Sequence, residues 1–149
     1  MLAPLSPFFI WLGSCWEVVF AFVANEAFFS PGTESLIFRT TGTAFGINIC
    51  NDANYPEVAL ATARDGARGI VMPLNNFMRR SNAEIWREKT LRNLMERARD
   101  TGCWVVSSDV VGEDDERISH GCTAIVSAQG EVLARVPENV EGVCVHDIN

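Results

Sequence analysis

Cys50 closes an apolar run, Thr43–Cys50 (TAFGINIC), and is followed at once by Asn51, Asp52, Ala53, Asn54, Tyr55 and Pro56. The run alternates and then turns wholly apolar, which predicts a buried strand. The polar stretch ending in proline predicts a loop and then a helix with Pro56 in its first turn. A cysteine between such a strand and helix is pushed out at the carboxyl edge of an α/β sheet, where such sheets bind ligands. A nearby helix N-terminus favours a thiolate, and the backbone N–H of Asn51 would be available to an oxyanion. That is the arrangement of a nucleophile elbow with sulfur as the attacking atom. On position alone the plainer reading, a small buried hydrophobe, outweighs it. Asn75 and Asn76 follow another short strand and Pro73, at the same expected edge. There they could donate to a ligand or simply cap their loop.

The elements that must position these residues can be read from pattern. A short strand is expected at Leu36–Phe38, ahead of Gly42, and a small-residue helix from Pro56 to Asp65-Gly66. Gly69–Met72 predicts a buried strand. Ser81-x-x-Glu84 has the form of a capping box and predicts the start of a long helix ending at Thr101-Gly102. Leu91, Leu94, Met95 and Ala98 share one face of it. Cys103–Ser107 reads as a strand, Glu113–Glu116 as an acidic solvated turn, and Cys122–Ser127 with Glu131–Val136 as a hairpin about Ala128-Gln129-Gly130. Gly142–Ile148 is expected to be a last strand. Strands alternating with helices and then a meander make an α/β layout.

Composition narrows the function. Twelve Lys+Arg against 19 Asp+Glu give a formal net charge of -7, with no basic cluster, so nucleic acid is a poor partner. Five cysteines without a C-x-x-C pair, and only two histidines, argue against a disulfide framework and a metal site and fit a reducing, cytoplasmic setting. Residues 1–24 form a nearly unbroken apolar leader. Glu17 in its middle and the lack of any preceding Lys or Arg argue against a membrane span and a signal peptide. Residues 25–149 have the composition of an ordinary α/β domain.

Ordered blocks along the second region resemble the nitrilase superfamily, the carbon–nitrogen hydrolases. They are Asn25–Gly32 (NEAFFSPG), Gly46–Asp52 (GINICND), Tyr55-Pro56-Glu57, Asp65-Gly66-Ala67, Pro73–Asn76, Gly102–Gly112, Gly121–Val126 and Gly130–Ala134. The resemblance implies part of a four-layer α-β-β-α sandwich that hydrolyses small amides, carbamoyl amines or nitriles through a cysteine thioester, without a cofactor. It implies Cys50 as nucleophile and the Asn51 N–H as an oxyanion donor. It also implies Glu26, 24 residues earlier, as a second site carboxylate, and Tyr55, Asn75 and Asn76 as pocket candidates.

The departures are equally specific. The family's catalytic Lys would stand a little before Glu26, where this chain has Val18–Phe22, and the one Lys of the chain is Lys89. The family's first Glu, its general base, has no counterpart. The expectation is therefore the C-terminal half of such a hydrolase behind an unmatched leader, impaired in catalysis. The alternative is a non-catalytic half-domain that pairs with a second copy of itself or with a longer relative.

Overall fold

The computed structural model describes residues 35–148. The leader, Glu17, Glu26 and the rest of the Asn25–Gly32 block lie outside the described residues. Strand β1 (Ile37–Thr40) turns back through Gly42 onto β2 (Thr43–Ile47) in an antiparallel pair. A 3-10 helix (Cys50–Asn54) and helix α1 (Pro56–Arg64) then lead to β3 (Gly69–Pro73), which lies parallel to β2. A two-residue strand β4 (Met78–Arg79) and the 22-residue helix α2 (Arg80–Thr101) cross over to β5 (Trp104–Ser108), parallel to β3. After β6 (Gly112–Glu113) and β7 (Arg117–Ser119), β8 (Ala124–Val126) and β9 (Val132–Arg135) add antiparallel strands. The main sheet has six strands in the order β1-β2-β3-β5-β8-β9, and a three-stranded sheet runs β4-β7-β6.

Alternation in the central strands decides where the core sits. Ile70 and Met72 of β3, Val105 of β5 and Val126 of β8 are fully buried, and they meet Ala59 of α1 and Leu94 and Ala98 of α2. Each fully buried aliphatic side chain of this size contributes about 1.5–3 kcal/mol. Leu91 and Met95 pack against the same cluster, so the helix face expected from spacing is the one used. The alternate residues Phe45, Ile47, Val71, Trp104 and Val106 are apolar and half-buried. Strands apolar on both faces are the pattern of a sheet meant to be covered on both sides. The α2 C-terminus closes on Gly102 at φ 65, whose N–H reaches Ala98 O at 2.9 Å.

Four expectations are corrected. β2 ends at Ile47 and not at Cys50: Asn48 still donates its N–H to Val71 O at 3.0 Å, but the chain then turns into the 3-10 helix. Ser81 and Glu84 form no capping box, and α2 starts one residue earlier, at Arg80. β4 runs straight into the helix, and the Arg80 N–H, one of the donors left free at a helix start, is taken by the carbonyl of Glu116, just ahead of β7, at 3.1 Å. Gly142–Ile148 forms no strand; no partner strand lies beside it among the described residues, and Val143 and Val145 are 89% and 82% exposed. The acidic turn holds strand β6 and its hairpin to β7, with the Asp114 carboxylate accepting the N–H groups of Glu116 and Arg117 at 3.0 and 2.7 Å.

Candidate functional site

The parallel order of β2, β3 and β5 puts three segments side by side at one sheet edge: the turn beginning at Cys50, the loop holding Asn75 and Asn76, and Asp109 just after β5. Pro73 pairs with Ser108 in register, and the Leu74 N–H donates to Ser108 O at 2.8 Å, so the last two segments leave the sheet together.

Cys50 is the first residue of the 3-10 helix, is half-buried, and has φ 42. Left-handed backbone at a residue with a Cβ costs of order 1–3 kcal/mol and persists only where the surroundings over-determine it. Those surroundings are visible. The Ile49 N–H donates to Asp52 Oδ2 at 2.7 Å, and the Asp52 N–H donates back to Ile49 O at 2.8 Å. Behind the turn, buried Arg97 of α2 donates to Ala53 O at 3.0 Å, and Asn93 Nδ2 donates to Asn54 Oδ1 at 2.9 Å. Ahead of it, Asn48 is buried with its Nδ2 on Thr62 Oγ1 of α1 at 3.0 Å. The Asp52 N–H makes the first i→i−3 bond, so the Asn51 N–H one residue earlier is not used by the helix. Asn51 itself is exposed, and its Oδ1 accepts from Asn54 Nδ2 at 3.0 Å.

The other candidates divide. Tyr55 is 40% exposed and stands at the N-terminal boundary of α1, its carbonyl accepting the Val58 N–H at 3.1 Å. Asn75 is exposed, and its Oδ1 takes the Phe77 N–H at 3.2 Å, a local turn. Asn76 is held by Asp109, through its backbone N–H at 3.1 Å and its Nδ2 at 2.6 Å. Both asparagines thus shape their loop. Asp109, unremarked in the sequence, is the residue that orders it; its position just past Ser107-Ser108, at the same edge, was the available signal.

Burial raises the Asp52 carboxyl above the ordinary range, with the Ile49 N–H pulling the other way. Burial raises Asp109 likewise, and the Asn76 side-chain and backbone donors oppose it. Burial also raises the thiols of Cys103 and Cys122, the latter to about 11, and disfavours their thiolate forms. Beside Asp109 a cavity of about 350 Å³ is walled by Val110, Thr123, Val136 and Glu141. Lys89 projects from α2 with its ammonium 4.1 Å from the centre of the Trp86 ring. Among the described residues, no group of three or more His, Cys, Asp or Glu could hold a metal ion, and no helix is long and apolar enough to cross a membrane.

The chain is similar to known proteins over most of its length. It is 32% identical to the human deaminated glutathione amidase over 127 residues, which is 85% of this chain and 37% of that protein. It is 28% identical to the glutamine-dependent NAD(+) synthetase of Rhodobacter capsulatus over 120 residues, 80% of this chain and 21% of that one. The chain therefore spans less than half the length of these curated relatives. Its fold matches the crystal structure of a carbon-nitrogen hydrolase from Helicobacter pylori G27 with a TM-score of 0.67 at 24% identity, over 76% of this chain and 44% of that one. Yeast Nit3, of branch 10 of the nitrilase superfamily, matches with a TM-score of 0.63 at 24% identity, over 76% and 40%. Residues 20–149 match the sequence pattern of the carbon-nitrogen hydrolases as a whole, and the chain belongs to that family.

Proposed function

We propose that this chain carries the nucleophile-bearing part of a hydrolase acting on small amides, carbamoyl amines or nitriles, with Cys50 as the nucleophile. The observation that carries the reading is the left-handed backbone of Cys50 at the carboxyl edge of β2. A sharp, strained turn there presents a side chain outward from the sheet, which is what attack on a bound carbonyl requires. The Cys50 thiolate attacks the carbonyl carbon, the negative charge moves to oxygen, and the Asn51 N–H donates to that oxyanion. The C–N bond then breaks, the amine leaves with a proton, and water cleaves the thioester to acid and thiol. Glu26, by resemblance, belongs to the same site.

The 149-residue chain by itself turns such substrates over slowly. Its one Lys is engaged over Trp86 on α2 and is not at the elbow. An oxyanion donor is worth about 10²–10³-fold and a general base about 10²–10⁴-fold. The test is turnover of a panel of simple amides, carbamoyl amino acids and nitriles, with Cys50→Ala as control. Slow, Cys50-dependent hydrolysis is expected. Hydrolysis unaffected by Cys50→Ala would overturn the assignment of the nucleophile, and fast Cys50-dependent turnover would overturn the impairment.

A second reading, pairing through the C-terminal segment, is favoured by the exposure of Val140, Val143, Val145 and Ile148. Sedimentation of the chain with and without Val143→Ser/Val145→Ser tests it; a mass unchanged from monomer in both would remove it.

A further inference from the structure

Resting on the reading of Cys50 as nucleophile, we infer that Asp52 is a positioning residue: its carboxylate clasps the Ile49 N–H across Cys50 and so fixes the backbone that aims the sulfur. The clasp is reciprocal. Asp52 Oδ2 accepts from Ile49 N at 2.7 Å, while Asp52 N donates to Ile49 O at 2.8 Å, and Cys50 and Asn51 are the only residues enclosed. Asp52 is 4% exposed, so water does not compete for the bond. A charge-assisted bond of this length is also among the stronger ones available to a backbone N–H.

The clasp is anchored on both sides. The Asp52 carbonyl accepts the Tyr55 N–H at 2.9 Å, which leads into α1, and the next residue, Ala53, is held by Arg97 from α2 at 3.0 Å. Ile49 follows Asn48, itself fixed to Thr62. The two ends of the turn are thus tied to separate helices, and the Asp52–Ile49 bonds close the gap between them. Burial of Asp52 with its Oδ1 unpartnered among the described residues is a cost that the fold bears at this place. Strain at Cys50 and an under-satisfied carboxylate two residues on are the kind of local compromise found where geometry serves a site. Asp52 holds the backbone and not the reacting carbon, so it acts through Cys50.

The experiment measures the rate at which Cys50 is alkylated by iodoacetamide, followed by peptide mapping so that each cysteine is read separately. Asp52→Ala is expected to slow labelling of Cys50 by about tenfold while leaving Cys144 unchanged, because the freed turn no longer holds the sulfur outward. Asp52→Asn is expected to restore the rate to within about threefold, since its amide oxygen accepts the same N–H. Equal Cys50 rates in the unaltered chain and Asp52→Ala overturn the inference. So does an Asp52→Asn rate as low as that of Asp52→Ala. A second measurement needs no variant: the Ile49 amide proton, followed by NMR from neutral to acid pH, should shift with a midpoint above the ordinary aspartate range. An Ile49 amide insensitive to that titration overturns the clasp. Failure of the nucleophile reading would show in substrate turnover and not in this amide, so the two failures are distinguishable.

Discussion

The backbone N–H and side-chain Nδ2 of Asn76 both donate to the carboxylate of Asp109, at 3.1 and 2.6 Å, across 33 residues of sequence. This pair ties the loop after β3 to the end of β5 and sets the shape of the sheet edge beside the Cys50 turn. Asn76→Ala should destabilise the fold by about 1–3 kcal/mol at neutral pH, because a half-buried carboxylate loses a donor. The pH dependence has a definite sign. Burial raises the folded pKa of Asp109 above its unfolded value, so its contribution is fully present below the unfolded pKa and is lost as pH rises through the folded one. The Asn76 donors limit that loss. The penalty of Asn76→Ala should therefore shrink as pH falls through the folded pKa of Asp109, read as converging urea midpoints.

Glu138 joins two arginines. Arg87 Nε and Arg135 donate to it, each at 2.7 Å, linking α2 to the segment after β9. The Arg87 hydrogen bond, then Arg135 and the two positive charges, hold its carboxyl below the ordinary glutamate range. A lowered folded pKa gives stability present above the unfolded pKa and lost as pH falls through the folded one. Glu138→Gln should cost about 1 kcal/mol at pH 7, the upper end for pairs open to solvent, and nothing once pH has dropped below the folded pKa. Denaturant midpoints at the two pH values check this.

Leu94 is fully buried at the centre of the α2 face, against the sheet. Leu94→Ala should cost about 2–5 kcal/mol through lost transfer energy and the cavity left behind. Chemical denaturation reads the loss directly; a change under 1 kcal/mol, roughly the scale of a surface site, would mean the helix does not pack as described.

Gly46 lies on β2 where a Cβ would overlap the Thr62 methyl. Thr62 in turn holds the Asn48 amide at 3.0 Å, just ahead of the Cys50 turn. Gly46→Ala should destabilise by about 1–3 kcal/mol through overpacking, and should also slow iodoacetamide labelling of Cys50 because Thr62 must move. Normal labelling in a destabilised Gly46→Ala chain would show that Asn48 does not support the Cys50 turn.

Legibility in the sequence followed the range of the interactions concerned. The run from β2 through Cys50 to Pro56 could be read because alternation, a polar turn and an N-terminal proline are local signals, and Pro56 does open α1. The α2 face could be read from the spacing of Leu91, Leu94, Met95 and Ala98. The strands β4, β6 and β7 could not, since two or three residues such as Met78-Arg79 or Gly112-Glu113 carry no period. The Ser81–Glu84 box failed because the helix already begins at Arg80, which puts Ser81 inside its first turn, and Glu84 instead reaches His120 Nε2 at 3.1 Å. The Asn76–Asp109 pair was invisible for the same reason: only the parallel order of β3 and β5 brings residues so far apart in sequence together. That the chain turns near Cys50 was legible, but the left-handed backbone there and the Asp52–Ile49 bonds were not.

The most direct test of Cys50 as the acyl acceptor uses an activated ester, 4-nitrophenyl acetate, whose leaving group departs without a proton and so needs no general acid. The Cys50 sulfur attacks the carbonyl, the C–O bond breaks, and nitrophenolate leaves an acetyl thioester. After brief exposure of the chain and acid quench, mass spectrometry of its peptides should find acetyl on the Cys50 peptide well ahead of the Cys144 peptide, the other half-buried thiol among the described residues. Acetyl absent from Cys50, or no faster there than at Cys144, would contradict the assignment.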